Sequence, residues 1–272
     1  MTEGVGDRRC AVVTGAASGI GQASARALRD GGLTVIGIDR NDPGDAADRW
    51  IKADLDDPGP MIAMPEMPVH VLVNAAGLPP RPGTEAQVLR VNFLALRRLT
   101  LQLLPRMPEG GSIVNLASKA GARWRENIEQ VRRLMAQPDS ARLDRFVTEE
   151  SVDTVRSYDL SKEAVVAWTK AMTASLLDRD LRMNCISPAA IDTPILEDFT
   201  AAFGARATRG IELTRRSGRA EEVAAVVAFL ADPASAWVRG CNIEADGGLT
   251  AQLETETIIG AVDAVTGAPG RG

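Results

Sequence analysis

Histidine and tyrosine are almost missing from this chain, which has one of each, His70 and Tyr158. A Ser-His-Asp triad or a multi-histidine metal centre would have to be built on His70 alone, so histidine catalysis and a metal site are not expected. His70 sits in Met67-Pro-Val-His-Val-Leu-Val-Asn74, at the entry to what reads as a buried strand, and is taken as structural. Cysteine is scarce as well. Cys10, Cys185 and Cys241 lie far apart with no Cys-x-x-Cys, so no disulfide framework or zinc ribbon can be drawn, and a reduced, cytoplasmic protein is expected. No apolar run approaches the ~18 residues that span a bilayer, and the first nine residues lack the apolar region of a signal peptide. Neither secretion nor a membrane partner is expected. Basic residues do not prevail: 31 Lys and Arg face 36 Asp and Glu, for a formal charge of −5. Nucleic acid is therefore not an expected partner.

What is present is an ordinary apolar content, 45% of 272 residues, enough for one large core. Short β-branched or apolar runs alternate with longer helical patterns from end to end, the mark of βαβ units and a parallel sheet. Strands are read at about 10–14, 34–39, 50–53, 69–74, 112–117, 182–187 and 241–245, and helices at about 19–30, 87–106, 157–178 and 220–231. The fold class is α/β: a single doubly wound Rossmann-type domain over 1–272, its seven-stranded parallel sheet carrying helices on both faces. Three segments stand outside the pattern. Residues 120–156 are charged and too long for a plain loop, with Ile128, Val131 and Met135 on one helical face, turned inward. Residues 188–216, with Phe199 and Phe203, read as a binding loop, and a tail follows at 251–272.

Thr14-Gly15-Ala-Ala-Ser18-Gly19-Ile20-Gly21 closes the first strand and opens the first helix. Such glycines permit a tight turn and let the backbone approach a pyrophosphate at a positive helix N-terminus. Asp39 ends the next strand 24 residues after Gly15, where a carboxylate can accept bonds from ribose hydroxyls. A 2′-phosphate would meet Asp39 as a like charge and Ser18 brings no cation, so NAD is expected over NADP, with Arg40 as the residue opposing that reading. Asp54 follows the third strand, with Leu55 beside it, and Asn74-Ala75-Ala76-Gly77 ends the fourth. All lie at the carboxyl edge, where doubly wound sheets bind ligands.

Tyr158-Asp-Leu-Ser-Lys162 opens a predicted helix, and the i, i+4 spacing puts the phenol and the ammonium on one face. A cation held beside a phenol favours the phenolate, so Tyr158 is expected to ionise below its usual value near 10. Together these motifs resemble, in order, the short-chain dehydrogenase/reductase family: Thr14-Gly-x-x-x-Gly19-x-Gly21, Asn74-Ala-Ala-Gly77, Asn92 in a helix, Ser118 after the fifth strand, and Tyr158-x-x-x-Lys162. The similarity runs over about residues 10–250. It implies NAD(P) as hydride carrier and a catalytic tetrad falling on Asn92, Ser118, Tyr158 and Lys162. Asn92 would order a proton-relay water, and Lys162 would also hold the nicotinamide ribose. Pro188, Ile191 and Thr193 are expected beside the cofactor. Ser118 is preferred to Ser112 because it lies at the carboxyl end of the strand.

The gap of 40 positions between Ser118 and Tyr158 is wide for the family. It is similar to that of bacterial coniferyl-alcohol dehydrogenases and 3α-hydroxysteroid dehydrogenase/carbonyl reductases. Val35-Ile-Gly-Ile-Asp-Arg-Asn41, Gly110-Gly-Ser-Ile-Val-Asn115, Arg182-Met-Asn-Cys-Ile-Ser-Pro188 and Thr193-Pro-Ile-Leu196 look most similar to the coniferyl-alcohol members. Pro188-Ala189-Ala190 departs from the usual Pro-Gly. The resemblance implies a homodimer or homotetramer and an alcohol or carbonyl substrate. Ser118, Trp124, Tyr158, Ile195, Leu196 and Phe199 are the expected substrate contacts, which favours an apolar, aromatic or cyclic molecule. The rival reading is a catalytically silent dinucleotide-binding sensor or scaffold on the same fold.

Overall fold

A computed structural model describes residues 9–57, 62–64, 66–138 and 143–255. Most of the expected tail, 251–272, lies outside the described residues. The strands are β1 (Cys10–Thr14), β2 (Thr34–Asp39), β3 (Arg49–Lys52), β4 (Val71–Asn74), β5 (Ser112–Leu116), β6 (Arg182–Ile186), β7 (Ile191–Asp192), β8 (Gly218–Arg219) and β9 (Asn242–Ile243). The helices are α1 (Gly19–Asp30), α2 (Glu85–Leu89), α3 (Leu96–Leu103), α4 (Ile128–Met135), α5 (Leu143–Glu149), α6 (Thr154–Ala171), α7 (Thr173–Leu177), α8 (Leu196–Phe203), α9 (Ala205–Thr214) and α10 (Ala220–Ala231).

Seven strands form one parallel sheet in the order β3-β2-β1-β4-β5-β6-β9. The order reverses between β1 and β4, which opens a crevice at their carboxyl ends. Each inner strand is buried on both faces, and alternate residues feed two cores. Val12, Ile36, Leu72, Ile113 and Met183 face the layer of α3 and α6; Val13, Val35, Val73, Val114 and Ile186 face α1 and α10. That alternation explains why the strands read as continuous apolar runs rather than as hydrophobic-polar repeats.

Three elements differ from the sequence reading. The helix expected over 87–106 is α2 and α3 joined by a π-helical turn, Arg90–Ala95, within which the buried Asn92 bonds Leu78. The seventh strand shrinks to β9, whose register holds only Cys185↔Asn242 and Ile186↔Ile243. Loop 188–216 is instead a structured excursion. It leaves through β7, forms α8 and α9, and returns through β8, which pairs with β7.

Residues 120–156 are partly helical, as expected. Their inward face differs slightly: Val131 and Leu134 are fully buried, while Ile128 and Met135 are only partly so. Burying two such side chains contributes roughly 1.5–3 kcal/mol each. Arg97 locks the end of α4 by donating to the carbonyls of Met135 and Gln137, both at 2.7 Å. The insertion begins at the carboxyl edge, where Ala120, Ala122 and Arg123 line the cavity, and its helices then pack against α6 and α2.

Candidate active site

A cavity of about 1020 Å³ lies along the carboxyl edge of the sheet. The β1–α1 turn contributes Gly15, Ser18, Gly19, Ile20 and Gly21; Asp39 and Arg40 follow β2, Asp54 and Leu55 follow β3, and Ala75, Ala76 and Gly77 follow β4. The turn is made for close approach. Gly15 has φ +69°, and a Cβ on Gly21 would lie 2.1 Å from the Gly15 carbonyl oxygen. Only glycine permits that fold of the chain, which brings the turn tightly against the start of α1.

Asp39 does more than face the cavity. Its carboxylate accepts from the N–H groups of Ala17 at 3.1 Å and Asn41 at 2.9 Å, tying the glycine turn to the end of β2. Arg40 leans toward Asp54 at 3.8 Å. Thr14 Oγ1 accepts from both Ala75 and Ala76 N–H at 3.0 Å, fixing the neighbouring strand end. This cradle, closed to larger side chains and set at the N-terminus of α1, fits a dinucleotide.

Ser118 follows β5 and caps a 3-10 turn, Lys119–Arg123, by accepting from Ala120 N–H at 3.2 Å. It lines the cavity together with the Tyr158 phenol. Ser112, the alternative serine, is buried at the far end of the strand and donates to the Leu230 carbonyl, so it is structural. Tyr158 and Lys162 lie in the first half of α6, whose start is fixed by Asp153 accepting the Arg156 N–H at 2.7 Å. The Lys162 ammonium is 5.6 Å from the Tyr158 ring centre and donates to the Leu116 carbonyl at 2.8 Å. Burial pulls Lys162 down to about 8. Burial also pushes the Tyr158 phenol well above 10; the Ser118 hydroxyl and the Arg206 charge oppose it and Asp159 adds to it. The lowered phenol expected from the sequence is therefore not what the protein alone shows, because desolvation outweighs the groups that oppose it.

Pro188, Ile191 and Thr193 line the cavity beyond β6, and Ile195, Leu196 and Phe199 close its apolar end. Phe199 and Phe203 stack on each other, and both meet the Tyr158 ring edge-on, with centroids 4.9 and 5.9 Å away. Two ion pairs hold this cover. Arg81 grips Asp198 through two bonds of 2.9 and 2.8 Å, and Arg206 reaches Asp159 at 2.9 Å.

Three expected site residues are placed elsewhere. Asn74 is buried in the sheet, its amide donating to Thr100 and Asn115, so it braces strands instead of touching the cavity. Trp124 packs on the core under the Arg125 guanidinium and lines no part of the cavity. Asn92 is fully buried; its side chain accepts from Leu78 N–H and donates to Leu78 O and Ser161 Oγ. Its amide positions the segment after Gly77 and does not line the cavity. Conversely, Leu78, Asp159, Arg206, Leu213, Leu249 and Leu253 line the cavity without sequence warning. His70 is structural as expected: its Nδ1 accepts the Cys10 N–H, and burial holds its pKa below the usual value.

A crevice at the strand reversal, a glycine turn and a Ser-Tyr-Lys group lining the same cavity define a dinucleotide-dependent oxidoreductase. Comparison with known proteins agrees. Residues 11–183 match the NAD dependent epimerase/dehydratase family, and residues 128–250 match the Enoyl-(Acyl carrier protein) reductase family. The chain is 38% identical over 243 residues to a coniferyl-alcohol dehydrogenase of Pseudomonas sp., covering 88% of this chain and 95% of that one. The structure of a 3-alpha-hydroxysteroid dehydrogenase from Pseudomonas sp. B-0831 complexed with NADH superposes with a TM-score of 0.77 at 26% identity, covering 90% of this chain and 98% of that one. A chain from Agrobacterium tumefaciens with bound NADP gives 0.67 at 25% identity, covering 89% and 96%. The protein belongs to the short-chain dehydrogenase/reductase family. It is an NAD(P)-dependent oxidoreductase acting on alcohols. Among the described residues no helix is long and apolar enough to cross a membrane.

Proposed function

We propose that the protein interconverts a medium-sized apolar, aromatic or cyclic alcohol and its carbonyl compound, using NAD, with Tyr158 as the acid–base group. The observation that carries this reading is that Ser118, Tyr158 and Lys162 line one cavity together with Phe199, Phe203, Ile195 and Leu196. A dinucleotide held there would supply the hydride acceptor or donor for the alcohol carbon. Tyr158 takes the hydroxyl proton, Ser118 donates to the substrate oxygen, and Lys162 supplies positive charge beneath the phenol. Asn92 acts as a positioning residue through Leu78 and Ser161. The similarity to a coniferyl-alcohol dehydrogenase supports an aromatic substrate. The cradle from Gly15 to Thr193 would hold the dinucleotide, and the Asp39 carboxylate favours a free 2′-hydroxyl over a 2′-phosphate.

Steady-state assays with benzylic, allylic, steroid and aliphatic alcohols and either cofactor test this reading. Turnover of ring alcohols with a higher kcat/KM for NAD is expected. Activity confined to sugars or polyols would sink the substrate class, and a preference for NADP would sink the cofactor assignment. Binding of NAD without turnover of any alcohol would favour a silent binding protein.

A further inference from the structure

The π-helical turn Arg90–Ala95 packs between the loop that follows β3 and the loop that follows β4. Its Val91 and Ala95 form a small apolar cluster with Leu55 from the first loop and with Ala76 and Leu78 from the second. Asn92 holds the Leu78 side by two hydrogen bonds. Arg90 has the matching place on the other side. Its Nη1 donates to Asp56 Oδ1 at 2.9 Å, and Gln87 of α2 donates to Asp56 Oδ2 at 2.8 Å. Both carboxylate oxygens are thus bound from one helical unit. Asp56 in turn belongs to a tight turn, in which its N–H donates to Asp54 Oδ1 at 3.0 Å and the Asp57 N–H donates to the Asp54 carbonyl at 3.2 Å. Anchoring Asp56 therefore fixes Asp54 and Leu55, which line the cavity. Arg90 does not line it; with Leu55 and Leu94 it borders a small hollow behind the wall.

Chemistry decides which half of the cofactor this wall meets. Hydride exchange belongs beside Ser118, Tyr158 and Lys162, after β5 and on α6, and the pyrophosphate belongs at the start of α1. A dinucleotide laid across that point has its adenosine half over the ends of β2 and β3, where Asp39, Asp54 and Leu55 stand. We propose that Arg90 is a positioning residue for the adenosine half of NAD: through Asp56 it holds Asp54 and Leu55 in place without touching the cofactor. This rests on the reading of the cavity as an NAD site and adds to it a residue from outside the cavity.

The test measures, by calorimetry, the dissociation constant of ADP-ribose, which carries the adenosine and pyrophosphate but no nicotinamide, beside kcat and KM in the alcohol assay. Arg90→Ala should raise the ADP-ribose dissociation constant and the KM for NAD by the same factor, about 5-fold, a modest loss because solvent reaches part of the ion pair. The loss should stay in those two quantities and not enter kcat or the KM for the alcohol. Arg90→Gln keeps a donor on a shorter stem, should lose less, and serves if the Ala variant does not fold. Asp56→Ala should weaken ADP-ribose at least as much as Arg90→Ala. Adding Arg90→Ala to it should cost nothing further, since the arginine then has no carboxylate to hold. ADP-ribose binding unchanged in both Arg90 variants overturns the inference and leaves the dehydrogenase reading intact. So do additive losses in the double variant, or a loss that spreads equally to the KM for the alcohol, as a general loosening of the fold would produce. No ADP-ribose binding by the unaltered protein overturns the NAD-site reading itself and this inference with it.

Discussion

Lys162 carries its charge inside the protein against the cost of desolvation. It titrates at about 8, against 10.5 for a free lysine, so at neutral pH the buried ammonium lowers folding stability by about 3 kcal/mol. Replacing it by Met removes that cost but strands the Leu116 carbonyl, which offsets about 1 kcal/mol. Lys162→Met is therefore expected to be inactive yet at least as stable as the parent at pH 7. The folded pKa is depressed, so between about 8 and 10.5 the unfolded chain holds the extra proton and the parent gains stability as pH rises. The advantage of the Met variant should shrink across that window, as read by denaturant unfolding at pH 7 and 10. A difference independent of pH would show that the ammonium is not desolvated.

At the same scale, Tyr158→Phe should cut turnover by at least about 100-fold while NAD still binds, because only the proton carrier is lost. The phenol can be titrated by ultraviolet absorbance without interference, since the chain has one tyrosine. Burial places its ionisation above 10 in the protein alone. Oxidised nicotinamide, a positive charge, should lower it when NAD is added, and Lys162→Met should raise it. An absorbance curve unmoved by either change would overturn the acid–base assignment.

Among the elements, α6 bears the tyrosine and lysine, and the long insertion is fastened to it next door. Glu163, 1% exposed, accepts from Asn127 at the start of α4 and from Arg156, both at 2.7 Å; Arg156 also donates to Gln130. Removing one side of such a buried pair leaves the other charge stranded, at about 3–5 kcal/mol in a fully buried setting. Arg156 is 21% exposed, so solvent screens part of that cost. Glu163→Ala is expected to destabilise by about 2–3 kcal/mol and to remove hydrogen-exchange protection from α4. Protection in α4 that survives the substitution would mean Val131 and Leu134 hold the helix unaided.

For the whole molecule, the cofactor cradle draws on the ends of β1, β2, β4 and β6, so binding is linked to unfolding of the entire sheet. At 100 times its dissociation constant, NAD should add about 2.7 kcal/mol. For a chain of this size that is a rise in Tm of roughly 5–10 °C. Tyr158→Phe should keep the shift. Gly21→Ala should lose it, because the added methyl meets the Gly15 carbonyl. A full shift in the Gly21 variant would mean that the turn is not the cofactor site.

Sequence by itself determined the sheet, its parallel direction and the glycine turn. Those features are local: residue type, spacing and position at a strand end are enough to specify them, whereas Ser118, Tyr158 and Lys162 were singled out as a group by the resemblance of the ordered motifs to the short-chain dehydrogenase/reductase family. The choice of Ser118 over Ser112 followed from which end of β5 each occupies. Tertiary structure decided the rest. Asn74 and Trp124 have the composition of site residues, yet their side chains turn toward Thr100 and Asn115 or onto the core, which spacing along the chain does not encode. Asp159 and Arg206 are 47 positions apart and became a pair only when α9 folded back across α6. The ionisation of Tyr158 was set in the same way. Its neighbour four residues on argues for a lowered pKa, but packing of Phe199 and Phe203 against the ring removes water, and that desolvation is a property of three dimensions.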